Sequence, residues 1–186
     1  MSVLKLYEYP DVVLRQKCEK VTTVDDELRR FLDDMLETMY ADKGCGLAAP
    51  QVGCTKRVIV LDPNPSDEDL SARQPMFLIN PEIIWRSEDT VFFNEGCLSL
   101  PEQRAEVERF AKVRVHYVDY NGVEQEILAD DLLAIILQHE IDHLDGILYI
   151  DHLSRLKRSR LLNKLEKYRL ECNRKQISHD KQEISV

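Results

Sequence analysis

The stretch Asp130-Asp131-Leu132-Leu133-Ala134-Ile135-Ile136-Leu137-Gln138-His139-Glu140-Ile141-Asp142-His143-Leu144-Asp145-Gly146 constrains the fold more than any other. Acidic residues open it, an apolar run follows and a glycine closes it, which predicts a helix. The run before His139 is almost wholly apolar, so the helix should be buried rather than lie on the surface. It nevertheless carries His139, Glu140, Asp142 and His143, and such groups need a reason to sit in an interior. Residues four apart share a helix face, so the imidazoles of His139 and His143 can aim at one point. Two imidazoles so placed can clamp a divalent cation, and Glu140 can reach water there as a general base. The plainer alternative is a pair of satisfied core histidines.

A chain of 186 residues suffices for one domain with a sizeable core, and we expect a single catalytic domain over 1–186 whose last residues, from about 171, form a polar, frayed tail. The hydrophobic fraction of 44% and charged fraction of 32% are those of a globular protein. No apolar run approaches membrane-spanning length, and residues 1–8 lack a secretory signal pattern, so no membrane association is expected. The cysteines (Cys18, Cys45, Cys54, Cys97 and Cys172) are odd in number and follow no disulfide framework, so they read as reduced thiols in a cytoplasmic setting. A net charge of −9 argues against general nucleic-acid binding and against specific DNA binding.

Taken in order, residues 3–20 predict an extended arm, a turn at Pro10 and a short helical turn. Leu28, Phe31, Leu32, Met35, Leu36 and Met39 form one helical stripe, which predicts a helix from Thr22 or Thr23 through Lys43, with Thr23 as N-cap. Residues 44–53 are small and glycine-rich, predicting a loop, and residues 57–61 a buried strand. Residues 62–75 read as an exposed polar loop. Residues 76–85 predict a strand bent at Asn80-Pro81, and residues 90–93 an extended piece leading into a tight loop around Cys97. Residues 112–120 and 123–128 predict a hairpin turning at Asn121-Gly122. A final helix runs from Ser154 to about Glu171. The expected class is α+β: antiparallel β-sheets packed around the central buried helix, with an N-terminal and a C-terminal helix.

A hydrolytic metal site needs three protein ligands and an open position. The helix offers two. Spacing alone leaves the third open among His116, His152, His179 and Cys97, whose thiolate is a strong ligand for zinc or iron.

Three segments together resemble the peptide deformylases: Gly44-Cys-Gly-Leu-Ala-Ala-Pro-Gln51, Glu95-Gly-Cys-Leu-Ser99 and Gln138-His-Glu-Ile-Asp-His143, with Tyr9-Pro10 and Leu14-Arg15 similar to that family's start. Leu-Pro-Glu-Gln-Arg104 after Ser99 looks like the bacterial type-1 branch. The resemblance implies removal of the formyl group from the N-terminal formylmethionine of new polypeptides, releasing formate. It implies Cys97, His139 and His143 as metal ligands, Glu140 as general base and acid, and Gln51 with the backbone N–H of Leu98 as donors to the formyl oxygen. It implies iron(II) as the working metal and zinc as a poorer one; on ligand grounds nickel and cobalt also fit. Ile135 and Ile136, one turn before His139, can line a methionine pocket with Cys45 and Leu98. The peptide can add as a strand beside Gly44, Cys45 and Gly46, with Gly96 close by and Arg104 steering its downstream part. Asp142 points away from the metal face and can pair with Arg109 in a structural role. The basic residues Arg155, Lys157, Arg158, Arg160, Lys164, Lys167 and Arg169 of the last helix suggest contact with the ribosome. An HExxH zinc endopeptidase is the main alternative, and a purely structural metal the other.

Overall fold

A computed structural model describes residues 2–66 and 69–183. The apolar strand Val58–Leu61 (β2) is buried at every position because helices cover both of its faces. Val58 and Val60 pack with Leu28, Leu32, Met35 and Met39 of helix Asp26–Ala41 (α1). Ile59 and Leu61 face the other way, onto Ile136, Leu137, Ile141 and Leu144 of helix Asp131–Leu144 (α2). Each of these α2 side chains stabilises the fold by roughly 1.5–3 kcal/mol on burial, which fixes the helix that bears the two histidines.

Gly46–Ala48 (β1), β2, Met76–Arg86 (β3), Val113–Val118 (β6) and Glu124–Ala129 (β7) lie in that order in a five-stranded antiparallel sheet. Gly46 pairs with Leu61, and Ile59 with Leu78. Thr90–Cys97 (β4) and Leu100–Phe110 (β5) form a separate two-stranded sheet. Its core residues Leu100 and Val107 pack with Tyr149 and with Leu161 and Leu165 of helix Arg155–Glu183 (α3). The architecture is α+β, with antiparallel sheets around a central buried helix flanked by N- and C-terminal helices.

Several local expectations need correction. α1 starts at Asp26, not near Thr23, because the Asp25 carboxylate accepts the Leu28 N–H at 2.8 Å and caps the helix instead. It ends at Ala41, and Lys43 has a positive φ of 55°. Residues 44–53 are not all loop, since they include β1 and a 3₁₀ turn at Ala49–Val52. Cys97 ends a strand rather than lying in a loop. Residues 62–75 are not uniformly exposed. Asp62 is fully buried, accepting from Tyr40 Oη at 2.6 Å, Asn64 N at 2.8 Å and Gln74 N at 3.0 Å; Asp67 and Glu68 lie outside the described residues. The predicted bend in β3 is present as a register shift between Ile79 and Glu82, with Asn80 at φ 54°. The last helix, α3, continues to Glu183 rather than ending near Glu171, since nothing after Ser154 is Gly or Pro and most residues favour helix. Residues 184–186 lie outside the described residues.

Candidate active site

Helix α2 turns His139 and His143 to one side, their rings edge-on with centroids 5.0 Å apart. The β4–β5 hairpin supplies the third group. A register shift between Gly96 and Cys97 turns the end of β4 toward the helix, with Cys97 Sγ 3.2 Å from His143 Nε2. Cys97 Sγ and one ring nitrogen from each histidine lie within 4.8 Å of one another. Donors sharing a tetrahedral ion at about 2.0–2.3 Å stand roughly 3–4 Å apart, so this sulfur–nitrogen–nitrogen set fits a divalent cation with one position to spare.

The surrounding charges set the protonation of the cluster. Burial alone would raise the Glu95 carboxyl, but hydrogen bonds from His139 and Arg109 outweigh it and hold the group at about 2. Glu95 is therefore an ionised acceptor. Its Oε2 lies 2.7 Å from His139 Nδ1, so Nδ1 carries a proton and Nε2 is the ring atom left to face a cation. Burial lowers both histidines, but at His139 the Cys97 and Glu95 side chains reverse this and hold the imidazole well above its usual range. His143 stays well below it, pushed down by burial and by His139. The proton held on His139 occupies the place a cation would take, so binding of a cation would release it.

Glu140 is 4% exposed, and burial pushes its carboxyl up to about 7, against the opposing pull of His139. Its Oε2 is a buried polar atom without a hydrogen-bond partner, as is His143 Nδ1. The carboxylate fits only because residue 46 is glycine: a Cβ there would fall 2.8 Å from both Cγ and Cδ of Glu140. A desolvated carboxylate with a spare oxygen beside three ligand-type atoms is arranged for proton transfer.

Gln51, 1% exposed, is oriented from both ends. Its Oε1 accepts the Ala48 N–H at 2.8 Å, while Nε2 donates to Cys97 Sγ at 3.4 Å and Ser99 Oγ at 3.2 Å. The N-terminal arm braces both partners, with Tyr7 N–H donating to Gln51 O at 2.8 Å and Tyr9 N–H to Ser99 O at 2.9 Å.

A cleft of about 860 Å³ opens onto this cluster, and Gly44, Cys45, Gly46, Gln51, Gly96, Cys97, Leu98, Arg104, Ile135, Ile136, His139 and Glu140 all line it. His143, at 1% exposure, lies behind the wall. Of the other ligand candidates, His116 lies in β6 opposite Glu126, and His152 Nε2 sits 2.7 Å from Asp142 Oδ2, so neither joins the cluster. The His179 side chain lies outside the described residues. Arg109 Nη1 donates to Asp142 Oδ2 at 2.6 Å.

The cleft also holds residues that sequence reasoning missed: Leu6, Glu8, Asp42, Lys43, Phe93, Glu95 and Leu132. Leu132 was visible as the residue one turn before Ile135 and Ile136, and Glu95 as a close sequence neighbour of Cys97. Leu6 and Glu8 gave no signal, since an arm folding over a distant cleft leaves no local pattern.

The sequence model of the polypeptide deformylase family matches residues 3–159. A peptide deformylase of Phenylobacterium zucineum is 49% identical over 168 residues, covering 90% of this chain and 98% of that protein. One from Methylocella silvestris is 54% identical over 158 residues, covering 85% and 81%. Among solved structures, the peptide deformylase of Legionella pneumophila superposes with a TM-score of 0.84 at 40% identity, covering 92% of this chain and 98% of that one. That of Ehrlichia chaffeensis in complex with actinonin gives 0.83 at 42% identity, covering 90% and 98%.

Proposed function

We propose, from the premise that this chain belongs to the peptide deformylase family, that Cys97, His139 and His143 hold the divalent ion on which removal of the N-formyl group depends. The observation that carries the assignment is the trio of ligand-type atoms within 4.8 Å, with the unpartnered oxygen of Glu140 beside it. When bound, the ion supplies Lewis acidity to a water and to the formyl carbonyl.

The chain's own residues do the rest. Glu140 takes the proton of the attacking water and holds it in a site shielded from solvent. As negative charge gathers on the formyl oxygen, the Leu98 N–H and Gln51 Nε2 donate to it; the bond from Ala48 to Gln51 Oε1 fixes the amide plane, and Nε2 gives up its long bond to Cys97 Sγ to make this one. Glu140 then delivers the proton to the departing amine nitrogen, giving formate and a free N-terminal methionine. Ile135, Ile136, Cys45 and Leu98 receive the methionine side chain. The peptide runs as an added strand along β1, the end strand of its sheet, past Gly44, Gly46 and Gly96, and Arg104 steers its downstream part.

The working ion in this proposal is iron(II), held by a thiolate and two imidazoles that also accept zinc, nickel or cobalt. The whole of 1–186 acts as one catalytic domain in the cytoplasm. Supporting that placement, the cysteines are free and no helix among the described residues is long and apolar enough to cross a membrane. The ribosome, where the substrate emerges, is contacted by the exposed Arg155, Lys157, Arg160, Lys164 and Lys167 of α3; Arg158 and Arg169 are instead engaged by Asp151 at 3.0 Å and Glu8 at 2.9 Å. An HExxH endopeptidase has no support: the family and its relatives are deformylases.

The test is protein purified without oxygen, assayed for metal and for formate release from formyl-Met-Ala. One equivalent of metal with formate release is expected. Cleavage of internal peptide bonds, or formate release without metal, would refute the reading.

A further inference from the structure

The Arg109 guanidinium sits where the two halves of the ligand set meet. Arg109 is 4% exposed. Its Nε and Nη2 grip Glu95 Oε1 at 2.6 Å and Oε2 at 3.0 Å, while Nη1 reaches Asp142 Oδ2 at 2.6 Å. Glu95 and Cys97 lie two residues apart at the end of β4. Asp142 lies between His139 and His143 on α2. Glu95 Oε2 in turn holds His139 Nδ1 at 2.7 Å, and His152 Nε2 closes the outer end of the chain on Asp142 Oδ2 at 2.7 Å. One planar group thus ties the sulfur-bearing strand to the imidazole-bearing helix, and a carboxylate it grips also fixes the tautomer of one imidazole.

We propose that Arg109 is a positioning residue, a clamp that sets the Cys97 sulfur against the His139–His143 pair and thereby governs how tightly the cation is retained. The proposal rests on the reading of those three residues as ligands. The sequence signal, an Asp142–Arg109 pair, pointed only to a structural role. The geometry goes further, because both carboxylates that Arg109 grips neighbour ligand residues. Lysine cannot replace it, since a single ammonium cannot make the two-pronged contact with Glu95 and still reach Asp142. A group that orients a ligand from behind typically changes metal affinity by about 10-fold to 100-fold.

The experiment loads the full chain with cobalt(II) without oxygen, records its visible spectrum and follows release of the ion to a chelator. Arg109→Lys should release cobalt about 10-fold or more faster, with a shifted spectrum reporting altered ligand geometry. Asp142→Asn, which keeps the shape and weakens one arm, should shift both in the same direction by less, and it carries the test if Arg109→Lys does not fold. The control is Arg57→Lys. Arg57 is another buried arginine, paired with Asp145 at 2.9 Å near the end of α2 but bonded to none of the three ligand residues. It should lower thermal stability without changing release or spectrum. Unchanged release and spectrum in Arg109→Lys and Asp142→Asn would overturn the clamp, as would an equal acceleration in Arg57→Lys. Wild-type protein that takes up no cobalt would overturn the ligand assignment itself, and the clamp with it.

Discussion

Replacing Gly46 by alanine should disable turnover while leaving the cation site intact. A Cβ at this position would stand 2.8 Å from both Cγ and Cδ of Glu140, where carbon atoms normally approach no closer than about 3.5 Å. Something must yield by roughly 0.7 Å. β1 cannot, because Gly46 is paired with Leu61 and the next residues, Leu47 and Ala48, are fully buried. The α2 backbone cannot either, held as it is by Ile136, Leu137 and Ile141 in the core. The Glu140 carboxylate, with one oxygen unpartnered, is the part free to move. A proton-transfer group displaced by close to 1 Å costs on the order of 100-fold in rate, equivalent to about 2.7 kcal/mol of barrier.

The assay is steady-state formate release from formyl-Met-Ala, with metal content measured on the same sample. The kcat of Gly46→Ala should fall about 100-fold at unchanged metal stoichiometry. Gly44→Ala serves as the comparison. Its Cβ would meet flexible side chains, Leu98 Cδ1 at 3.0 Å and Met39 Cγ at 3.3 Å, which can give way, so its kcat should fall by less than about 10-fold. A Gly46→Ala enzyme with normal kcat and only a raised KM would mean that the methyl group obstructs the peptide rather than the carboxylate, and the reasoning would be wrong.

Other expectations follow from the same geometry. Glu140→Gln should keep its metal and lose on the order of 10²–10⁴ in turnover; near-normal formate release would remove the acid–base role. Cys97→Ser should be purified with much less metal, because a hydroxyl stays protonated where a thiol gives a thiolate ligand; full occupancy with normal activity would exclude Cys97 as a ligand. Glu95, held at about 2 when folded against about 4.5 when unfolded, stabilises the fold fully above pH 4.5, and this contribution of about 3 kcal/mol is lost as pH falls from 4.5 through 2. Urea titrations of metal-stripped protein between pH 5 and pH 2 should therefore show a steeper loss of stability for wild type than for Glu95→Gln, and parallel losses would refute the account.

Much of the fold was legible because it obeys simple periods. The stripe from Leu28 to Met39 and the apolar run of α2 announced two helices, and the alternation around Val113 and Val115 with Asn121-Gly122 announced a hairpin. β5 went unread. Five of the nine residues from Glu102 to Phe110 are charged, so the segment has few apolar residues to mark a buried face, and its one deeply buried charge, Arg109, looks like a surface residue until its carboxylate partners are in place. The candidate site was legible only in part for a related reason. A four-residue helical spacing is a distance, so His139 and His143 could be paired from first principles. The interval from Cys97 to His139 is not a distance, because it depends on how a two-stranded sheet docks against a helix. Only the resemblance singled out the cysteine.

The polar groups of α2 show how a helix can be both core and active site. Gln138 is occupied with Phe110, its Oε1 accepting the backbone N–H and its Nε2 donating to the carbonyl, each at 3.0 Å. Asp142 is occupied with Arg109 and His152, and His139 Nδ1 with Glu95. Gln138 and Asp142 staple the helix to β5, and His139 ties it to β4. They hold in register the hairpin that carries Cys97, which the hydrophobic packing of α2 against the five-stranded sheet would not do alone. A buried polar atom left without a partner costs on the order of 1–3 kcal/mol. Of the unpartnered buried side-chain atoms among the described residues, Glu140 Oε2 belongs to a residue that lines the cleft, whereas His143 Nδ1 lies behind its wall. Of the two, only the Glu140 oxygen can be satisfied by what enters the cleft, which is the condition a proton-transfer group must meet.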